Sequence, residues 1–271
     1  MIKQAIIPLA GLGTRLLPLT SVFAKELLPI NGKPGIEYIL DECVQAGIRE
    51  IIFIISDKKK MIKDYFYNDK FYKKIIKKKK DKRVLQEYKK ILKFKKMIRF
   101  VYQNKPLGTG DAVLKTKKYI KDKYFLMLLP DDLIIKKNCS KDMISVHKKN
   151  KASVMASMLV KRNNVSRWGI YKLSKKINKN NYKISDVIEK PSIRRAPSNQ
   201  AVIGRYILPK TIFNEIKKLK PGKGQEIHIT DAIRSLIKKN SKFIAHKFKG
   251  KYLDCGTMSG YINSSKEIAK L

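Results

Sequence analysis

The stretch Ile2–Arg15, IKQAIIPLAGLGTR, decides how the chain begins to fold. Ile2–Leu9 is apolar and partly β-branched, with the length of a buried strand, and it runs straight into Gly11 and Gly13. Outward from it, Lys33–Gly47 carries Ile36, Ile39, Leu40, Cys43 and Val44 at the spacing of one helix face, and Gly47 supplies the stop. Glu50–Ile55 (EIIFII) is a second buried strand. Strand, helix and strand in that order imply parallel pairing, because parallel neighbours need a crossover and a helix provides it. Met97–Tyr102 as a strand, Gly110–Tyr119 as a helix and Tyr124–Leu129 as a strand repeat the pattern. The first half therefore predicts an open doubly wound sheet.

The second half opens near Lys151. Ala152–Leu159, Trp168–Leu173, Tyr182–Glu189 and Asn199–Ile207 read as strands joined by polar turns such as Lys179-Asn180-Asn181. Helices are expected at Thr211–Leu219 and Asp231–Lys239, a strand at Phe243–Phe248 and a last helix from about Met258. This strand-rich region either extends the first sheet or builds a side sheet over a pocket. The fold class expected is α/β, a Rossmann-like doubly wound mixed sheet with an additional strand-rich region. It forms one domain over residues 1–271, with halves meeting near residue 150.

The segment Lys58–Arg99 has a different texture, with 17 lysines and two arginines against four acidic residues. Its apolar residues, from Ile62 and Phe66 to Ile91 and Leu92, keep roughly helical spacing. A helical excursion with lysine-loaded polar faces is expected there, not disorder. The whole chain is basic: 62 Lys and Arg against 22 Asp and Glu, a formal net charge of +40. Such a charge suggests a polyanion partner such as RNA. Only ten of the 62 are arginine, however, and arginine is the side chain that forks onto phosphates and base edges. The lysines are also scattered along the whole chain, as when surface positions default to lysine in an AT-biased coding sequence.

With 43% apolar residues the chain can bury a sizeable core. Cys43, Cys139 and Cys255 form neither a disulfide framework nor a metal knuckle, which fits a reducing cytoplasm. No apolar run approaches the ~18 residues of a membrane span. The N-terminal stretch, broken by Pro8 and Gly11, does not read as a signal peptide. Neither a membrane nor a nucleic acid is an expected partner.

The chemistry concentrates at strand ends. In Leu9–Pro18 the small residues Ala10, Gly11 and Gly13 let backbone N–H groups crowd round an anion. The run is neither a P-loop nor G-x-G-x-x-G, since Leu16 stands where the third glycine belongs. It adds Arg15, whose guanidinium can fork onto phosphate oxygens. Lys25, in Ala24–Ile30, would sit in the loop closing the same nest. Leu107–Ala112 makes another tight approach around Gly108, and Gln103 before it offers an amide to a base edge. Leu128-Leu129-Pro130-Asp131-Asp132 puts carboxylates at the carboxyl end of a buried strand, where open α/β sheets bind ligands. Asp254 also follows a strand. Two carboxylates with ligand phosphates are a hard-oxygen setting for Mg2+, although adjacent aspartates also serve as turn residues or helix caps.

Gly11-Leu12-Gly13-Thr14-Arg15, Lys25–Pro29, Leu129-Pro130-Asp131, Glu189-Lys190-Pro191 and Leu253–Gly256, in this order, resemble the sugar-nucleotide pyrophosphorylase (nucleotidyltransferase) family. Ala196–Tyr206 and Pro221–Ile233 are similar to its bacterial UTP–glucose-1-phosphate uridylyltransferase subgroup. The likeness runs from Ile2 to the C-terminus. It implies that Ala10, Gly11, Gly13, Thr14 and Arg15 hold the nucleoside triphosphate, with Arg15 on the departing pyrophosphate, and that Lys25 bridges the phosphates of both substrates. It implies that Gln103 and Gly108 read the uracil edge and that Asp131 and Asp254 hold Mg2+. Gly169, Glu189, Lys190 and Val202 line the sugar-phosphate site on the same resemblance, with Lys190 taking a catalytic role beside Arg15 and Lys25. Asp111 departs from the subgroup, which has histidine there, and Trp168 stands in place of a smaller aromatic.

The reaction so implied is in-line attack of a glucose-1-phosphate oxygen on the α-phosphorus of UTP. A phosphate monoester with a second pKa near ~6 is mostly dianionic at pH 7, so no general base is required, and His147, His228 and His246 are expected at the surface or in structural roles. The resemblance also implies a homodimer or homotetramer. Rival readings are a sister enzyme using dTTP, CTP or N-acetylglucosamine 1-phosphate, and a non-catalytic regulatory or RNA-binding relative. An inert relative would be expected to have lost Asp131, Lys25 or Asp254, and all three are present.

Overall fold

Side chains alternate along β1 (Gln4–Pro8), Ala5 and Ile7 facing one side and Ile6 the other, all fully buried. A strand covered on both faces belongs at the middle of a sheet flanked by helices. The computed structural model describes residues 1–79, 81–222 and 225–271. Lys80 of the lysine-rich segment, and Lys223 and Gly224 of the Pro221–Ile233 motif, lie outside the described residues.

The chain continues through two-residue strands β2 (Pro29–Ile30) and β3 (Lys33–Pro34), helix α1 (Gly35–Gln45) and β4 (Glu50–Ile55). Then come α2 (Lys60–Tyr67), α3 (Lys70–Lys79), α4 (Lys82–Met97), β5 (Ile98–Tyr102), α5 (Gly108–Lys115) and β6 (Tyr124–Leu128). Next are β7 (Asp132–Ile135), α6 (Cys139–Asn150), β8 (Ser153–Leu159), β9 (Gly169–Asn178), β10 (Asn181–Glu189) and β11 (Gln200–Pro209). The chain closes with α7 (Ile212–Ile216), α8 (Ile229–Lys238), β12 (Phe243–Lys247), β13 (Lys251–Asp254) and α9 (Met258–Ala269).

Among the described residues, nine strands form one sheet in the order β5-β4-β1-β6-β11-β8-β12-β10-β9. The first four are parallel, the doubly wound half expected. β11 runs antiparallel to both β6 and β8, so the strand-rich half extends this sheet; it does not form a separate one. Ile36, Ile39 and Leu40 of α1, Phe66 of α2, Phe94 of α4 and Met143 of α6 pack on the face that Ile7 and Phe53 present. Val113 of α5, Phe213 of α7 and Ile233 of α8 pack on the face of Ile6, Ile52 and Ile54.

Strand ends and helices fall within a few residues of the sequence reading, with instructive exceptions. The helix expected over Gly110–Tyr119 starts at Gly108 and gives way to turns after Lys115. α6 and β7 were not expected. Asp254 closes β13, where the reading had placed it after a strand. β13 pairs with β7 outside the main sheet, and its register sets Asp254 opposite Asp132. That pairing carries Asp254 to the carboxyl end of β6. Of the histidines, His246 is buried, with Nδ1 2.8 Å from Asn181 Oδ1, while His147 and His228 are half-buried, His147 Nδ1 lying 2.7 Å from Ala152 O.

The lysine-rich excursion is tied down by ions. Lys59, just before α2, donates to both oxygens of buried Glu26 at 2.7 and 2.8 Å. Tyr65 and Lys90 reach Glu37 of α1, each at 2.5 Å. The base of the excursion therefore clamps the loop that carries Lys25.

A second clamp lies beneath the strand ends. Fully buried Arg205 on β11 reaches Glu42 of α1, Nη2 to Oε2 at 2.9 Å, and donates from Nη1 to Leu129 O at 3.2 Å, two residues before Asp131. Arg205→Met should lower unfolding free energy by about 3–5 kcal/mol, because it leaves Glu42 charged and unpaired. The double variant with Glu42→Leu should recover most of that loss in urea melts. A single variant as stable as the parent would contradict the clamp.

Candidate active site

Three strand ends and three loops converge at the carboxyl edge of the parallel strands. After β1, Ala10 is buried and Gly11 exposed, and Gly13 adopts φ 72°, a left-handed turn that feeds the short Thr14–Leu16 helix. Only glycine takes that conformation without cost, and it is what turns Arg15 back across the strand ends. Arg15 Nη2 lies 3.5 Å from Asp131 Oδ2. Lys25, from its own short helix, places Nζ 2.6 Å from the same oxygen.

Burial works against the charge on Lys25, but Asp131 and then Glu26 outweigh it and hold its pKa above the ordinary lysine value. Burial likewise pushes Asp131 up, and the Lys25 charge and hydrogen bond carry it below the usual carboxylate range. Both directions leave the pair ionised.

Gly256 marks where these groups meet. A methyl group added to it would stand 2.9 Å from Arg15 Nη2, 2.9 Å from Asp131 Oδ2 and 3.2 Å from Asp254 Oδ1. The two carboxylates expected to hold metal therefore face one small notch with a guanidinium at its rim. Asp254 Oδ1 accepts from Gly256 N–H at 2.8 Å, and Oδ2 lies 3.4 Å from Arg167 Nη2. Its neighbour Asp132 does a different job. It accepts from Gly204 N–H at 2.8 Å and from the Tyr252 hydroxyl at 2.7 Å, and burial, then the Asp131 charge, push it up to about 6. Asp132 is a clasp between β7, β11 and β13.

The predicted sugar-phosphate residues also come together. A methyl group added to Gly169 would lie 3.1 Å from Val202 Cγ2 and 3.3 Å from Glu189 Oε2. Glu189 accepts from Thr230 Oγ1 at 3.0 Å, and Lys190 Nζ is 3.9 Å from Glu189 Oε1. Trp168 turns its ring edge-on to Tyr252, 5.7 Å between centroids. Of the residues expected to read a base, Gln103 continues β5 and its backbone N–H donates to Ile55 O at 2.8 Å. Gly108 opens α5, and Ile227 pairs with Leu107 and Gly110 through backbone bonds of 2.8 and 2.7 Å, which brings the chain around Ile227 against this corner.

Sequence reasoning did not find Arg167 on Asp254, the Glu26–Lys59 clamp, or Ser56. Ser56 follows β4 directly, between the Ala10 and Gln103 loops, and its buried hydroxyl has no partner among the described residues. No local spacing signals any of them. The donor set still suits a hard cation: two carboxylates on one notch, each now neutralised by side-chain cations. Among the described residues no group of three or more His, Cys, Asp or Glu comes together as a metal cage.

A family model described as nucleotidyl transferase matches residues 4–270. A UTP–glucose-1-phosphate uridylyltransferase of Streptococcus pyogenes serotype M3 is 36% identical over 273 residues, spanning 99% of this chain and 90% of the relative. A crystal structure of a UDP-glucose pyrophosphorylase complexed with UDP-glucose superposes with TM-score 0.88 at 37% identity, covering 100% of this chain and 99% of that one. A UTP-bound UGPase from Acinetobacter baumannii superposes with TM-score 0.89 at 33% identity, over 99% and 93% of the two chains.

Proposed function

The chain belongs to the nucleotidyl transferase family, and from that membership we propose that it forms UDP-glucose and pyrophosphate from UTP and glucose 1-phosphate. The likeness to uridylyltransferases over nearly the whole length supports this choice of substrates. The observation that carries the chemistry is the convergence of Arg15, Lys25, Asp131 and Asp254 on the Gly256 notch.

Two polyanions must be held in line while charge builds on the leaving group, so the task is alignment and neutralisation. Gly11, Gly13 and Thr14 would wrap the triphosphate with backbone N–H groups, and Arg15 would take the departing pyrophosphate. Lys25, held charged and aimed from a clamped loop, would turn from Asp131 to the phosphates of both substrates. Glu189 would accept sugar hydroxyls, its second oxygen oriented by Thr230, and Lys190 would meet the sugar's phosphate. Asp131 and Asp254 would hold a magnesium ion, which when bound supplies neutralising charge to the phosphates. No side chain needs to remove a proton, since the attacking phosphate is already ionised.

The same reading places the enzyme in the cytoplasm as a homodimer or homotetramer. No described helix is long and apolar enough to cross a membrane. The test is pyrophosphate release with UTP, dTTP and CTP against glucose 1-phosphate and N-acetylglucosamine 1-phosphate, with and without Mg2+. UTP with glucose 1-phosphate should be the fastest pair and EDTA should abolish it. A faster rate with dTTP, or with the amino sugar, would move the chain to a sister activity.

A further inference from the structure

Asp111 has no place in the reaction described so far, yet it is buried beside the residue assigned to the base. The Gln103 side chain donates from Nε2 to Asp111 Oδ2 at 2.8 Å and to the Gly108 carbonyl at 3.1 Å. Both neighbours are acceptors. The amide nitrogen therefore has both hydrogens engaged inside the protein, and rotating the amide by half a turn would set its oxygen against two other oxygens. The orientation is fixed by chemistry. Oε1 has no hydrogen-bond partner among the described residues.

We propose that Asp111 is a specificity-determining positioning residue: it locks Gln103 so that the site offers a lone acceptor to the base. This rests on the uridylyl-transfer reading and deepens it. Uracil presents an N3–H donor between two carbonyls, so a fixed acceptor matches it. Cytosine presents an unprotonated N3 at the same point, so two lone pairs would oppose each other. A free glutamine could serve either base by turning over, whereas a locked one serves only the N–H edge. Thymine shares that edge, so the lock separates pyrimidines by their hydrogen-bond pattern and leaves discrimination at the 5-methyl group to other contacts.

Asp111 also stands in the first turn of α5, with Lys115 Nζ 3.7 Å from its Oδ1. A carboxylate there favours the helix, and that structural role predicts equal losses with every nucleotide. The lock predicts a change in ratio. Asp111→Asn keeps the shape but can present its own amide either way, so Gln103 is free to turn. The UTP:CTP ratio of kcat/KM should fall about tenfold or more, the size of one hydrogen-bond mismatch, while the UTP:dTTP ratio stays put. Asp111→Ser, which replaces the acceptor-only carboxylate with a shorter hydroxyl that donates as readily as it accepts, should do the same, and Asp111→Glu should keep part of the ratio. Circular dichroism melts show which variants are folded.

Calorimetric binding of UTP and CTP to the parent and to folded variants reads the same ratio without turnover. A protein that binds UTP over CTP in an Asp111-dependent way, yet makes no UDP-glucose, would retain the lock and refute the activity. A parent that binds both equally, or folded Asn and Ser variants with the parent's UTP:CTP ratio, would overturn the lock and leave the activity standing.

Discussion

Lys25→Ala lowers kcat by about 10²–10³-fold, the range measured when one preorganised electrostatic donor is removed from a reacting centre. The expectation follows from how much structure is spent on this ammonium. Its loop is pinned through Glu26 to Lys59, a buried ion pair with 2.7 and 2.8 Å contacts. Its Nζ is delivered to within 2.6 Å of Asp131 on the far side of the notch. The Asp131 and Glu26 charges hold its pKa above the ordinary lysine value, so it arrives at the phosphates ionised. Steady-state rates across both substrates are the check, with a melt to show that the variant is folded. The loss should fall on kcat more than on the KM of either substrate, because the charge is most needed where it accumulates in the transition state. A variant with near-parental kcat would remove Lys25 from the chemistry.

Lys59→Met should then imitate a weakened Lys25 without touching substrate. It leaves Glu26 buried and uncompensated, so the loop loses its anchor. The position of Lys25 is thus a property of the lysine-rich excursion, whose sequence reads as surplus charge.

What the sequence disclosed follows from what kind of signal each feature leaves. Glu50–Ile55 is delimited residue for residue, because the five-residue apolar run Ile51–Ile55, flanked by polar Glu50 and Ser56, has one economical reading. α6 was missed because Cys139, Met143 and Ile144 are the only apolar residues it buries, set among lysines and polar side chains. Asn138, whose side chain accepts from Lys141 N–H at 2.8 Å, is the capping signal that could have announced it. β7 and β13 are four-residue strands, too short for periodicity, and their pairing is what brings Asp254 to Asp131.

The site shows the same division. Gly13, Arg15, Lys25 and Asp131 could be singled out because each lies in a compact motif, Gly13 and Arg15 just after β1, Asp131 just after β6 and Lys25 in the Lys25–Pro29 run. The contacts that aim them were not. Arg167 to Asp254, Lys59 to Glu26 and Arg205 to Glu42 join residues 87, 33 and 163 positions apart. Such pairs exist only once the sheet order is set, and nothing in local spacing records them.

Asp131→Asn should cost turnover at least as much as Lys25→Ala, about 10²–10³-fold, and for a different reason. The substitution keeps the size of the side chain and the backbone bond from Cys255 N–H to Asp131 O at 2.8 Å, so the notch should keep its shape. It removes the negative charge that Lys25 and Arg15 answer. In the free protein Lys25 would lose its nearest ionic partner and its pKa would fall, with Glu26 left to oppose burial. With substrates present, the notch would face the phosphates with Asp254 as its one remaining carboxylate, and Arg167 already competes for that group at 3.4 Å. The Mg2+ concentration giving half-maximal rate should therefore rise by about tenfold or more, one to two lost charge-assisted contacts. Mn2+ binding by paramagnetic resonance, with UTP present, should weaken in parallel without reference to rate. Asp132→Asn is the control: it disturbs the clasp to Gly204 and Tyr252 and should lower stability, while Mn2+ affinity of the folded fraction stays near the parent's. If Asp131→Asn keeps the parent's Mn2+ affinity and turnover, the two carboxylates on the Gly256 notch do not hold the ion, and only the cations of the site would be left to carry the reaction.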